Sequence, residues 1–326
     1  MIRPLQNIPS FQIEGVEVSK VILGCDAFIS WLYQGGDSPF KGSGGNLDIS
    51  KVLEVMKVSV SYGVKCIDLS PPLVEAFVRL QDKTDEEIVG LGSLQEWTCK
   101  NFTIDDVPLA SYNEEIKASV REKLPKGYLA DLAQSNMPGL EFIQSFFAPN
   151  RVTRPLTQSQ IDSIGMKAEF FVRRLELFQK LNVKLVQFGG IAADWLVSIG
   201  RIDLLEKLLQ LIKSKRFKPI LICHWTSIVL PICEKELDEV AGYIVPINKL
   251  WGLLTLHEAL KTIRNIKKPI IAMKTLARNA LLNDMESAYH FLFKEAGVTA
   301  VLVGVSSKIE AKQTFSTIGN VLKRHS

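Results

Sequence analysis

One pattern limits what this chain can fold into more than any other: short apolar runs alternate with longer stretches of helical spacing along most of its length. The clearest instance is Lys268 to Ser307, KPIIAMKTLARNALLNDMESAYHFLFKEAGVTAVLVGVSS. Pro269 to Met273 is apolar, and Lys274 and Thr275 interrupt it. From Asp284 to Ala296 the spacing is helical, with Met285, Ala288, Tyr289, Leu292 and Phe293 on one face. Gly297 ends that helix, and Val298 to Val303 is a second apolar run. Strand, helix and strand in this order form a βαβ unit, which brings the strands parallel through a right-handed crossover.

The same alternation recurs through the chain. Two short alternating pieces around Glu14-Gly15 predict a hairpin within 7–19. Strands are expected at Val21–Cys25, Val64–Ile67, Glu87–Leu91, Lys184–Phe188, Pro219–Cys223, Gly242–Ile247, Pro269–Met273 and Val298–Val303. Helices are expected at Asp48–Tyr62, Leu73–Leu80, Thr157–Leu181, Ile202–Ile212, Thr226–Leu237, Thr255–Ile266, Asp284–Ala296 and Ile309–Leu322. Eight such strands predict an α/β chain folded as a (β/α)8 TIM barrel, one domain spanning 1–326. The rival is an open doubly wound sheet. Its GxGxxG fingerprint is absent after the first strand, and Gly90 and Gly92 lack the third glycine. The region 95–157 carries one expected helix, Tyr112–Leu124, and reads as an insertion on the barrel rim. The Gly- and Ser-rich stretch Gln34–Asn46 reads as a flexible connection.

Composition narrows the partners. With 326 residues, 47% of them hydrophobic, the chain can bury a core without covalent staples. The net charge of +4 is spread along it. The densest basic run, KSKRFK at 213–218, ends a helix and lacks the interleaved aromatics of a nucleic-acid surface, so no nucleic-acid partner is expected. Cys25, Cys66, Cys99, Cys223 and Cys233 form no CxxC, and several lie in apolar runs, which predicts buried thiols in a reducing, cytoplasmic setting. The N-terminus has no signal-like apolar core, and no run of about eighteen apolar residues occurs, so no membrane span is expected. A small-molecule ligand is the expected partner; oligomeric state is not fixed by any of these features.

In a barrel, chemistry gathers at the C-terminal ends of the strands. Those ends supply Asp26, Asp68, Ser70, Ser93, Gln187, His224, Asn248, Lys274 and Ser306. A carboxylate, an imidazole and an amine around one mouth suffice for proton transfer, which makes Asp68, His224 and Lys274 the candidate catalytic residues. Each has a plainer reading. His224 could satisfy a backbone carbonyl, Lys274 could pair with Asp68 or another strand-end acid, and Asp68 could cap the turn at Ser70. Lys274 could equally neutralise a phosphate beside the last two strands or act as an imine-forming amine. Of the four histidines, His257, His290 and His325 fall in helices or the tail, so no multi-histidine metal centre is expected.

With the strands placed, the chain resembles the aldo–keto reductase superfamily. The segments that carry the resemblance are EGVEVSKVILGCD at 14–26, SYGVKCIDLS at 61–70, KPIIAMKTLA at 268–277 and VTAVLVGVSSKIEAKQTF at 298–315. They occur in the family's order at barrel spacing and span most of the chain outside 95–157. The resemblance implies a barrel that reduces a small carbonyl compound with hydride from NADPH, held near Lys274, Ser306, Ser307 and Lys308. It also implies a tyrosine, a lysine, an aspartate and a histidine. Asp68 matches the aspartate, but Leu73 stands at the tyrosine's position, Gly92-Ser93 at the lysine's and Gly189-Gly190 at the histidine's. The implied alternatives are a remodelled site, a catalytically silent ligand-binding or regulatory barrel, and a non-redox enzyme using acid–base or imine chemistry. A tyrosine of the rim insertion, Tyr112 or Tyr128, is the candidate to refill the site.

Overall fold

A computed structural model describes residues 8–29, 40, 47–94, 99–123, 153–252 and 256–324. Eight parallel strands close into a barrel, in the order β3 (Val21–Leu23), β4 (Cys66–Leu69), β5 (Val89–Ser93), β9 (Val183–Gly189), β10 (Lys218–Ile222), β11 (Gly242–Pro246), β12 (Ile270–Met273) and β13 (Ala300–Val303), which pairs back onto β3. The strands are nearly continuous runs of buried residues because each is covered by side chains within the barrel and by helices outside. One layer of the interior is Ile22, Cys66, Leu91, Leu185, Ile220, Ile244, Ile271 and neighbours, which pack with Ile13 and Val18 of the N-terminal hairpin. That hairpin pairs β1 (Ser10–Ile13) with β2 (Val16–Ser19), and both turn residues are left-handed, Glu14 at φ 46° and Gly15 at φ 83°. The hairpin thus plugs one end and leaves the strand C-termini at the other.

The expected strands and most helices form within a few residues of their sequence positions. Three departures have physical causes. Val64–Ile67 is shifted to Cys66–Leu69, so Asp68 lies inside the strand and not beyond it. Thr157–Leu181 is not one helix. Thr157 does cap a helix, with a reciprocal bond from Gln160, but that helix runs only over Gln158–Asp162. The apolar Ile164–Met166 then pairs with Phe102–Ile104, and the helix resumes at Ala168–Gln179. Besides the helix Asn113–Lys123, the chain between β5 and β9 therefore holds a three-stranded sheet of β7 (Val107–Pro108), β6 (Phe102–Ile104) and β8 (Ile164–Met166). The expected helix Asp284–Ala296 starts as a single turn at Leu282–Asp284, is α-helical over Met285–His290 and widens to a π-helix over Phe291–Ala296; left-handed Gly297 at φ 73° closes it. The stretch Gln34–Asn46, apart from Phe40, and residues 124–152, with Tyr128, lie outside the described residues.

The basic run 213–218 behaves as a solvated helix end. Lys213 pairs with Glu239, Lys215 with Glu176 and Lys218 with Glu14. All five cysteines are buried and free. No helix among the described residues is long and apolar enough to cross a membrane.

Candidate active site at the barrel mouth

Two residues at the end of β9 decide how the mouth is built. Gly189 and Gly190 take φ of 95° and 70°, a region open to glycine without steric cost. They turn the chain from strand directly into the helix Ile191–Ser198, pinned by the bond from the Gly190 N–H to the Ile222 carbonyl at 2.8 Å. Its first turn brings Asp194, fully buried, beneath the end of β10. There Asp194 accepts three N–H bonds: the backbone of His224 at 2.8 Å, the backbone of Trp225 at 3.2 Å and the ring Nδ1 of His224 at 2.8 Å. Since a carboxylate can only accept, Nδ1 carries a proton, and whenever the ring is neutral its lone pair lies at Nε2. Nε2 makes no hydrogen bond among the described residues. His224 is therefore not spent on a backbone carbonyl; it is oriented with one nitrogen left for chemistry.

Asp26 sits across the barrel from His224, four strands away in the ring. The first strand stops at Leu23, and Asp26 opens a short helical turn, Asp26–Ile29. The alternation that would keep Cys25 and Asp26 on opposite faces is thereby lost. Burial pushes the Asp26 carboxyl up, while the positive charge of Lys274 and that of His224 pull it down. Asp26 is thus the acid that Lys274 and His224 share. Asp68 lies one strand further round, 4% exposed. Its Oδ1 accepts from Gln187 Nε2 at 2.5 Å and its Oδ2 from the Cys25 backbone at 3.2 Å. Both partners are neutral, so burial dominates and raises the carboxyl to about 7. Cys25 Sγ is 3.4 Å from Ser70 Oγ, and burial with the two nearby carboxylates holds its thiol well above the usual range.

Lys274 follows β12 in a left-handed conformation, φ 57°, which costs a side-chain-bearing residue about 1–3 kcal/mol. Fully buried Asn248, at the end of β11, donates from Nδ2 to the Lys274 carbonyl at 3.1 Å and helps hold it there. Three more left-handed residues follow, Ala277, Arg278 and Asn279. The Lys274 amine makes no hydrogen bond or salt bridge among the described residues. Burial and the neighbouring Arg278 lower its pKa, with Asp26 opposing. The expected pairing with Asp68 is not formed.

The structure gathers Asp68, His224 and Lys274 at one mouth and adds three residues. Asp26 and Gln187 were legible as strand ends. Asp194 was not: its one signal is an acid inside the apolar stretch IAADWLVS. Ser306, Ser307 and Lys308 form a separate corner. Ser307 caps the last helix, Lys308–Lys323, by accepting from the Glu310 N–H at 3.1 Å. Both the N–H and the hydroxyl of Ser306 donate to Glu310 Oε2, at 2.7 and 2.5 Å. Lys308 pairs with Glu54 at 3.7 Å. Lys274 makes no direct bond to this corner, so the four residues expected to share a phosphate are not one cluster. Among the described residues no group of three or more His, Cys, Asp or Glu side chains is placed to hold a metal ion.

The positions where the family resemblance implies other catalytic groups are filled by packing. Leu73 is wholly buried. A Cβ on Gly92 would lie 2.5 Å from the ring of Phe178, and one on Gly189 would lie 2.7 Å from the Ile222 carbonyl oxygen. Tyr112 is half-buried and packs against the core of the rim insertion.

Among solved structures, two from Pseudomonas aeruginosa, each titled a "putative aldo-keto reductase", share this fold. One has a TM-score of 0.55 at 15% identity and the other 0.54 at 13%; each alignment covers 99% of this chain and 98% of the other. No family model matches the chain. No curated protein matches it either.

Proposed function

We infer that the barrel mouth is an active site for proton transfer on a small carbonyl compound. The observation that carries this reading is the buried His224–Asp194 pair, with Nε2 unengaged and Asp26 and Lys274 within electrostatic reach. In this reading His224 Nε2 takes a proton from the carbon beside the carbonyl and returns it. Asp194 is a positioning residue that fixes the tautomer and supports the charged ring. Lys274 draws electron density onto the carbonyl oxygen, and Asp68, with a carboxyl near neutrality, stores or supplies a second proton.

Solvent exchange tests this without knowledge of the natural substrate. Pyruvate, dihydroxyacetone, glycolaldehyde and propionaldehyde are incubated with the protein in deuterium oxide and followed by proton NMR. Enzyme-dependent loss of the α-proton signal from at least one is expected, falling about 10²-fold or more in His224→Gln. Exchange undiminished in His224→Gln, or none above buffer with any probe, would defeat the reading.

A nicotinamide cofactor, NADP, is the second reading. It is supported by the shared fold with the "putative aldo-keto reductase" structures and by a cavity of about 400 Å³ lined in part by Ser306, Ser307, Lys308 and Lys51. The residues there do not fit a phosphate as they stand. The Ser306 donors are held by Glu310, Lys308 by Glu54, and Asp48 and Glu54 add negative charge to the lining. The proton transfer above needs no nicotinamide. A saturable change of tryptophan fluorescence with NADPH below millimolar concentration, abolished in Lys308→Glu, would favour this reading; a flat titration would remove it.

A further inference from the structure

We propose that Lys274 is a covalent nucleophile, forming an imine with an aldehyde or ketone that carries a hydrogen on the adjacent carbon. The proposal rests on the proton-transfer reading of the mouth and assigns it a substrate class and a bound intermediate. It starts from how the chain treats this one lysine. Two other lysines near the rim are paired with acids, Lys249 with Asp284 at 2.8 Å and Lys308 with Glu54. Among the described residues Lys274 makes no such ion pair, and Asp26 is the acid whose charge acts on it. Lys274 is half-buried, and its backbone is held in a left-handed conformation that alanine or lysine adopts only when its surroundings impose it. Asn248, itself fully buried, fixes the carbonyl of that strained residue. A lysine retained as a surface charge needs neither the strain nor the support.

The surroundings suit an amine that must be neutral to react. Burial and Arg278 both disfavour its charged form. Asp26, just after β3, lies within electrostatic reach of both Lys274 and His224, which links the amine, an acid and a base-capable ring at one mouth. Gln187 Oε1 is buried and has no partner among the described residues, in a residue 2% exposed whose Nε2 binds Asp68. It gives a bound carbonyl compound a hydrogen-bond acceptor.

The step balances with protons and water alone. The neutral Nζ attacks the carbonyl carbon; a C–N bond forms as the carbonyl π bond breaks, and the oxygen takes a proton from Asp26 to give the carbinolamine. The nitrogen, left positively charged by the attack, gives a proton to the Asp26 carboxylate, which passes it to the hydroxyl; the hydroxyl leaves as water, and the freed nitrogen lone pair closes the C=N bond. The resulting iminium draws the electron pair of the adjacent C–H bond as His224 Nε2 takes that proton, which produces an enamine. Reprotonation and hydrolysis by water reverse the sequence and free the amine.

Borohydride trapping tests it. The full-length protein is incubated at pH 7 with pyruvate, dihydroxyacetone, glycolaldehyde or propionaldehyde, reduced with sodium borohydride, digested and read by peptide mass spectrometry. For at least one probe the peptide with Lys274 should carry the reduced adduct at ten times or more the occupancy of any other lysine. His224→Gln should still trap, because imine formation precedes proton transfer. Lys274→Arg keeps the positive charge and should lose both the adduct and α-proton exchange. Equal labelling of surface lysines, with Lys274 not above them, overturns the proposal. The two readings fail separately. Exchange that survives in Lys274→Arg but not in His224→Gln leaves proton transfer standing without the imine. Trapping at Lys274 without any exchange leaves the imine and removes the role of His224. Circular dichroism of Lys274→Arg and Lys274→Met together guards against loss of fold, since Met keeps the apolar stem.

Discussion

Asp68 and Asp194 are carboxylates sunk beneath the same mouth, 4% and 0% exposed, but the two sides of the barrel treat them differently. Asp68, on the side formed by β4, β5 and β9, is bonded to a glutamine and a backbone amide, both neutral. Around it the strand ends are filled by apolar packing at Leu73 and by the Phe178 ring over Gly92. Asp194 serves the β10 side and takes three N–H donors, one from an imidazole that can carry charge. A buried acid with only neutral donors becomes a place to keep a proton; a buried acid with an imidazole becomes a device for aiming it. In the proposed reading the imidazole and the amine come from the ends of β10 and β12, while apolar packing fills the positions of Leu73 and Gly92, where the resemblance to aldo–keto reductases implies a tyrosine and a lysine.

The largest test of that contrast is Asp194→Ala. It leaves the His224 ring, its amide and the Trp225 amide without their buried acceptor, and should cost about 3–5 kcal/mol. Asp194→Asn keeps an acceptor oxygen and should cost distinctly less. Urea unfolding followed by tryptophan fluorescence measures both. A loss under about 1 kcal/mol for Asp194→Ala would mean the pair is not a fixed unit and would break the comparison.

On the packed side, Gly92→Ala comes next. The added Cβ would meet the fully buried Phe178 ring at 2.5 Å, and overpacking of this kind costs about 1–3 kcal/mol. Gly92→Lys, which places there the residue type that the resemblance to aldo–keto reductases implies, should cost at least as much and add no activity. A neutral melting temperature for Gly92→Ala would show that Phe178 can move aside, and that the space for another catalytic group exists.

The pH dependence sets the two acids apart again. The Asp68 carboxyl is raised from 3.8 to about 7 in the folded chain, so between those values the folded state holds a proton that the unfolded state has released. Its contribution is complete below about pH 4 and is lost as pH rises through 7. The slope in that window is at most about 1.4 kcal/mol per pH unit. Asp68→Asn should flatten the stability profile between pH 5 and 8, and overtake the parent chain at the upper end. Parallel profiles for the two proteins would show that the Asp68 carboxyl is not shifted upward.

The fold was legible because its signal is redundant. Eight apolar runs with helices between them tolerate an error of two residues in any one, as the shift of Val64–Ile67 to Cys66–Leu69 shows. The small sheet between β5 and β9 was not legible, although the helix beside it was. Ile164-Gly165-Met166 continues a helical spacing, and its pairing with Phe102–Ile104 lies some sixty residues away in sequence, where no local preference records it. The site was half legible. His224, Asp68 and Lys274 could be placed because strand ends face the mouth, but Asp194 sits inside a helix of apolar residues. Its role depends on two left-handed glycines and a tertiary contact thirty residues away. In the sequence the same glycines read only as a missing histidine, although their backbone is what positions the acid that orients His224.

Glu310 carries the comparison to the corner beside β13, where the smallest effects are expected. It is a third carboxylate bonded to neutral donors, the amide and hydroxyl of Ser306, but it is half-buried and sits in the first turn of a helix. The helix dipole favours a negative charge there. Ser307→Ala should remove one cap and cost about 1 kcal/mol, and Lys308→Ala, which loses only an exposed pair with Glu54, should cost less than about 0.5 kcal/mol. Urea midpoints at low and moderate salt separate the two, since only the ion pair is screened. If Lys308→Ala matched or exceeded Ser307→Ala, Lys308 would be holding something other than Glu54. The corner would then belong with the mouth as a ligand-binding surface; the capping geometry predicts that it does not.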